Sequence, residues 1–152
     1  MRRLCLIFTS LLLVSANALA QQQQIAAAMR AWHWVRLAQN NQRALYYSGD
    51  HLSPWKSSDG KLYAATYFRT DVIGAVGQSL LISIDTVLVP CFTDNPASFT
   101  VMTTTELKGD WTPTNDLSDE ADAKRSYEVP IAPGSTMIDV AHTLCHTVLT
   151  AP

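Results

Sequence analysis

The chain has little charge: Lys, Arg, Asp and Glu make up 16% of its 152 residues, where an average soluble chain carries roughly a quarter. The formal net charge is −2, and no stretch gathers Lys or Arg into a stripe. The electrostatic footprint of a nucleic-acid binder, or of a protein that clings to anionic membranes, is therefore missing. Glycine is scarce as well, with six residues, and none of them builds a phosphate-cradling loop. Ser98, Ser126 and Ser135 lack the Gly-x-Ser-x-Gly elbow of a nucleophile, and His33 and His51 have no acid at a telling spacing. These absences argue against an enzyme and against a bound cofactor. Beyond the first twenty residues no apolar run is long enough to cross a bilayer, since the strongest, Leu80 to Val89, is broken by Ser83, Asp85 and Thr86. There is no internal repeat, and the one low-complexity patch is the glutamine run at 21–24.

What is present begins with an export signal. A basic "MRR", the apolar "LCLIFTSLLLVS" and a small-x-small "ALA" at 18–20 read as a Sec-type signal peptide over residues 1–20. Residues 21–30, "QQQQIAAAMR", follow as an N-terminal tail or a short lead-in helix, and residues 31–152 form a single domain. Loss of Arg2 and Arg3 with the signal moves the formal charge from −2 to −4. Export places the chain in the periplasm or at the outer cell surface. Of the three cysteines, Cys5 leaves with the signal, so Cys91 and Cys145 remain to form one disulfide in an oxidising compartment. Closing a loop of about 55 residues is worth up to roughly 4 kcal/mol in the chain-entropy picture.

Hydrophobic alternation then predicts strands. "WHWVRL" and "RALYY", separated by the turn "QNNQ", form a hairpin, with Trp32, Trp34 and Arg36 on one face of the first strand. "SGDHLSPWKSSDGK" reads as a loop with a tight turn at Asp59-Gly60. Strands follow at "LYAATYFRT", "SLLISIDTVLVPC", "ASFTVMTTTEL" and "RSYEVPIAP", and Lys108 to Lys124 is a long surface loop. On the longest strand Leu80, Ile82, Ile84 and Leu88 share a face, and Pro90 weakens the ladder just before Cys91. The expected architecture is α+β: an antiparallel sheet of about six strands with one C-terminal helix packed on a face and one disulfide.

That helix lies in "GSTMIDVAHTLCHT". At about 100° per residue, Met137, Ile138, Ala141, Leu144, Cys145 and Val148 fall on one arc, and Asp139, His142, Thr143, His146 and Thr147 on the other. Ser135 or Thr136 caps it after Pro133-Gly134. Cys145 thus faces the sheet as a staple to Cys91, away from both histidines. His142 and His146, four apart, have a metal-compatible spacing but lack further ligands, so no metal is expected. The run "DLSDEAD" offers oxygens at Asp116, Ser118, Glu120 and Asp122, yet Ala121 and Tyr127 stand where a calcium loop needs its glycine and closing glutamate.

The candidate binding residues are aromatic: Trp32, Trp34, Tyr46, Tyr47, Tyr63 and Tyr67, joined by Phe68, crowd the first three strands. Half of such a set ordinarily belongs to the core, and the remainder would make an adhesive patch for a partner if it faced the open side of the sheet.

The order of these segments resembles the bacterial surface-adhesin E family: "WHWVRL" soon after the signal, "YYSGDHL", "KLYAATYF", "VLVPC", "SFTVMTTTEL" and, most specific, "YEVPIAPGSTMIDVAHTLC". The resemblance spans Trp32 to Cys145. It implies an antiparallel sheet with a helix on one face, a Cys91–Cys145 bridge, homodimers, and binding of host proteins such as vitronectin or laminin. The chain departs from that pattern in Pro90 before Cys91, in the length of the Lys108–Lys124 loop and in a tail after Cys145. The leading expectation is an exported, non-enzymatic protein-binding module whose partner is a host or envelope protein. The alternative is a periplasmic accessory or inhibitor protein, and a third is a small hydrolase that would depend on His142 or His146.

Overall fold

The computed structural model describes residues 20–114 and 126–150. Residues 1–19 of the expected signal peptide and the "DLSDEAD" run lie outside these residues, whereas Ala20 is the first residue of the helix that follows. Helix α1 covers residues 20–30. Seven strands follow: β1 (Trp34–Gln39), β2 (Arg43–Ser48), β3 (Ser53–Lys56), β4 (Leu62–Ile73), β5 (Ser79–Pro90), β6 (Ser98–Lys108) and β7 (Tyr127–Pro130). Helix α2 (Thr136–Thr150) closes the order. All strands join one antiparallel sheet in the order β1-β2-β4-β5-β6-β7, with β3 paired to the start of β4.

The sheet is buried on both faces because its central strands carry apolar residues at both parities. β4 and β5 pair in register from Tyr63↔Pro90 to Val72↔Leu81. Odd positions of β5 and even positions of β4 therefore share one face. There Ala64, Phe68, Val87, Val89 and Val101 meet Ala141, Leu144 and Val148 of α2. The opposite parity builds a second cluster, in which Ile82, Ile84 and Leu107 pack against Ala26 of α1, flanked by Met29, Trp34, Tyr67 and Trp111. The two helices thus cover opposite faces at opposite ends of the long strands. The indole Nε1 of Trp34 donates to the Met29 carbonyl at 2.9 Å, which fixes the exit of α1 to β1.

The expected antiparallel sheet, C-terminal helix and bridge are all present. Cys91, just past the end of β5, is joined to Cys145 of α2 with the two Cα atoms 5.3 Å apart. Ladder pairing of β5 with β6 ends at Leu88↔Thr100, next to Pro90, while on the other side Cys91 N–H still reaches the Leu62 carbonyl. The seventh strand, β3, lies inside "SGDHLSPWKSSDGK". Its four residues are all exposed and include Pro54, so they carry neither the alternation nor the composition of a strand. Pairing with β4 creates it, closed by the turn in which Gly60 takes φ +85° and Ser57 N–H bonds the Lys61 carbonyl.

β4 continues through Asp71–Ile73 before the chain reverses, with Gly77 at φ +81°. Gly109 is fixed by a close approach: a Cβ there would lie 1.8 Å from the Ser79 carbonyl oxygen. At the head of α2 the Ser135 carbonyl accepts the Ile138 N–H at 3.0 Å, which makes Ser135 the capping position. Its hydroxyl is buried and meets no partner among the described residues.

Candidate protein-binding surface

The six candidate aromatics do not form one patch. β-sheet parity sends Tyr47, which pairs with Phe68, to the α2 face, where it packs against the main core. The other five lie on the α1 side, in three groups.

Around Trp32 the chain leaves α1 and turns into β1. Its ring stands 4.7 Å from that of Tyr67 and 5.8 Å from that of Trp34. His51 packs against the same indole, with centroids 4.1 Å apart and planes inclined at 58°, although nothing in its sequence neighbourhood marks it as an aromatic partner.

The second group is a brace. The Arg69 guanidinium lies 4.7 Å from the rings of Tyr46 and Trp111 and 5.8 Å from that of Trp34. It also donates through Nε and Nη2 to the two carboxylate oxygens of buried Asp71, whose Oδ2 accepts a further bond from Ser79 at 3.0 Å. A planar cation paired bidentately and lined by π-faces is held by charge, hydrogen bonds and ring contacts together. Tyr46 and Trp34 are thereby engaged in holding the sheet. Trp111 reaches this position from a left-handed backbone conformation, φ 70°, in the turn after β6.

The third group is open to solvent. Trp55 of β3, Tyr63 of β4 and Phe92 after β5 form a row with centroid separations of 5.4 and 5.3 Å and planes inclined at 65° and 73°. Trp55 is 43% exposed and Phe92 49%. Lys61 Nζ sits 5.4 Å from the Phe92 centroid and pairs with Asp59 at 2.8 Å. Hydrogen bonds from Lys61 and then Ser57 bring the Asp59 carboxyl down to about 2, so that ion pair persists over the ordinary pH range. Sequence reading singled out Tyr63 alone of this row. Trp55 fell in a segment read as loop, and Phe92 beyond a strand end; only the fold makes them neighbours.

On the exposed side of α2, His142 Nε2 meets the Asp94 carbonyl, which tethers the loop after Cys91. His146, one turn on, is exposed. Among the described residues no group of three or more His, Cys, Asp or Glu side chains could hold a metal ion. None of the described helices is long and apolar enough to cross a membrane.

Fold and surface together define a small α+β protein with one stapled helix and one exposed aromatic row. No family model, no curated protein and no solved structure matches the chain.

Proposed function

We propose that this chain is an exported, non-enzymatic protein-binding module of the surface-adhesin type, directed at host extracellular-matrix proteins such as vitronectin or laminin. The observation that carries the reading is the Trp55–Tyr63–Phe92 row. Large aromatic side chains left half in water lose solvent contact when a protein partner covers them, and such residues dominate interface energetics. The rings are inclined rather than stacked, so the row offers edges as well as faces to a partner. The sequence resemblance, with its exported leader and cysteine-bearing terminal helix, supports the same reading.

The test is binding of the folded chain to immobilised vitronectin and laminin, repeated with the Trp55→Ala/Phe92→Ala double variant. Both side chains are half exposed, so the variant keeps its fold. A loss of affinity of about thirtyfold is expected for two central aromatics. The reading fails if the folded wild-type chain binds neither protein. Antibody labelling of intact cells, set against permeabilised ones, locates the protein. Labelling confined to permeabilised cells would turn the search to envelope partners, as an accessory or inhibitor protein would require.

A further inference from the structure

Among the described residues three strands of the sheet have a side with no neighbouring strand: β1, β3 and β7. Unpaired edges invite another strand, and proteins blunt them with proline, charge or brevity. On β3 the Ser57 N–H bonds the Lys61 carbonyl, so by antiparallel alternation Ser53 and Trp55 face β4 while Pro54 and Lys56 face outward. On β7 the Ile131 N–H bonds the Ala97 carbonyl, so Val129 and Tyr127 face β6 while Glu128 and Pro130 face outward. Each of these edges therefore puts a proline, with no N–H to give, at an outward position.

β1 carries no proline. Gly49 N–H bonds the His33 carbonyl, which by the same alternation directs Val35 to β2 and leaves the N–H and C=O of Trp34 and Arg36 pointing away. After a bulge at Leu37, Gln39 points outward again, since Asn40 N–H bonds the Arg43 carbonyl. Among the described residues none of these outward N–H groups has a partner. Beside the bulge lies a shallow open groove of about 490 Å³, lined by Arg36, Leu37, Ala38, Gln39, Asn40 and Asn41. The flanking side chains set the chemistry of an occupant. Val35 and Leu37 line one side of this edge, with Arg43 of β2, which pairs with Val72, on that same side; Arg36 lies on the other, and the β1–β2 hairpin contains no Asp or Glu.

We propose that the β1 edge takes an extended segment of a partner protein, added as an eighth strand, in which apolar residues alternate with acidic ones. The backbone of Trp34 and Arg36 supplies the ladder, Val35 and Leu37 receive the apolar side chains on one face, and Arg36 receives a carboxylate on the other. This surface is separate from the aromatic row and does not depend on it.

The probe is a capped six-residue peptide alternating Glu and Val, titrated into the isotopically labelled folded chain and followed by amide NMR. Shifts confined to Trp34, Arg36 and Gln39, with slowed amide exchange at those positions, are the expected result. Arg36→Pro removes the outward N–H without touching a bond to β2, and should weaken the peptide by about tenfold or more. Arg36→Glu, which keeps the N–H and reverses the charge, should weaken it by a comparable factor and serves if the proline variant fails to fold. Unchanged affinity in a folded variant overturns the proposal, as does the absence of wild-type shifts at millimolar peptide. A concentration-dependent dimer of the wild type that Arg36→Pro abolishes would assign the edge to a second copy and would equally overturn it.

Discussion

Asp85 shows what a single side chain costs this sheet. It projects from β5 on the α2 face, opposite Thr104 on β6 and Phe68 on β4, and is partly buried there. Burial pushes its carboxyl above the ordinary carboxylate range, and hydrogen bonds from Thr104 at 2.6 Å and Ser83 at 3.4 Å only partly offset the shift. A folded value above the unfolded one means that the native state holds this proton more tightly than the unfolded chain does. Ionisation therefore lowers stability as pH rises through the carboxylate range, and the cost is complete above the folded value. Asp85→Asn removes the titration and keeps an oxygen for Thr104. The variant should be more stable than the wild type at pH 7, and its advantage should close as pH falls below about 4. Urea unfolding of both chains at neutral and acid pH checks this, and equal offsets at the two values would refute it. Glu128 behaves in the opposite sense: bonds from Ser98 and then Thr100 lower its carboxyl, so its contribution is present at neutral pH and lost in acid.

At the scale of elements, α1 changes how the sheet is read. Hydrophobic periodicity finds β4, β5 and β6 because each is long and apolar at regular intervals, and it finds α2 because Ala141, Leu144 and Val148 recur on one arc. It leaves residues 21–30 undecided between tail and helix, because "QQQQIAAAMR" has no apolar stripe. The only buried residue of α1 is Ala26, and alanine gives a weak signal. The second cluster was half legible: Ile82 and Ile84 share a parity in the sequence, but nothing there says which element covers them. The aromatic row was less legible still, since Trp55, Tyr63 and Phe92 come from three segments whose adjacency is a product of register. α1 docks over Ile82, Ile84 and Leu107 through Ala26, its buried side chain, with half-buried Met29 beside it. Ala26→Glu should therefore undock it at a cost of about 2–3 kcal/mol, the value of the apolar surface it covers. Limited trypsin digestion then cuts after Arg30 faster than in the wild type. Cleavage at the wild-type rate would show that α1 contributes no protection.

Across the whole molecule the two apolar clusters lie on opposite faces, yet they share the backbone of β4 and β5, so neither can melt without disturbing the ladder that supports the other. The Cys91–Cys145 bridge adds a constraint on this arrangement. It joins the end of the longest ladder to the middle of α2 across 54 residues of chain, enclosing β6, β7 and the first turns of the helix. In the unfolded state that loop removes chain entropy equivalent to about 4 kcal/mol. In the folded state it anchors α2 beside Leu144, whose side chain is fully buried among Val87, Val89 and Val101. Replacing both cysteines by alanine should lower the melting temperature by roughly 10–20 °C. Because the clusters share strands, melting should remain one transition, with tryptophan fluorescence and far-ultraviolet circular dichroism changing together. Trp32, Trp34, Trp55 and Trp111 all belong to the α1 side or to the exposed row, whereas the bridge stabilises the α2 side. Coincident transitions in the variant would thus show that the staple acts through the shared strands on the whole sheet. A fluorescence transition that stayed at the wild-type temperature while helicity was lost earlier would show that α2 melts alone and that the two clusters are independent.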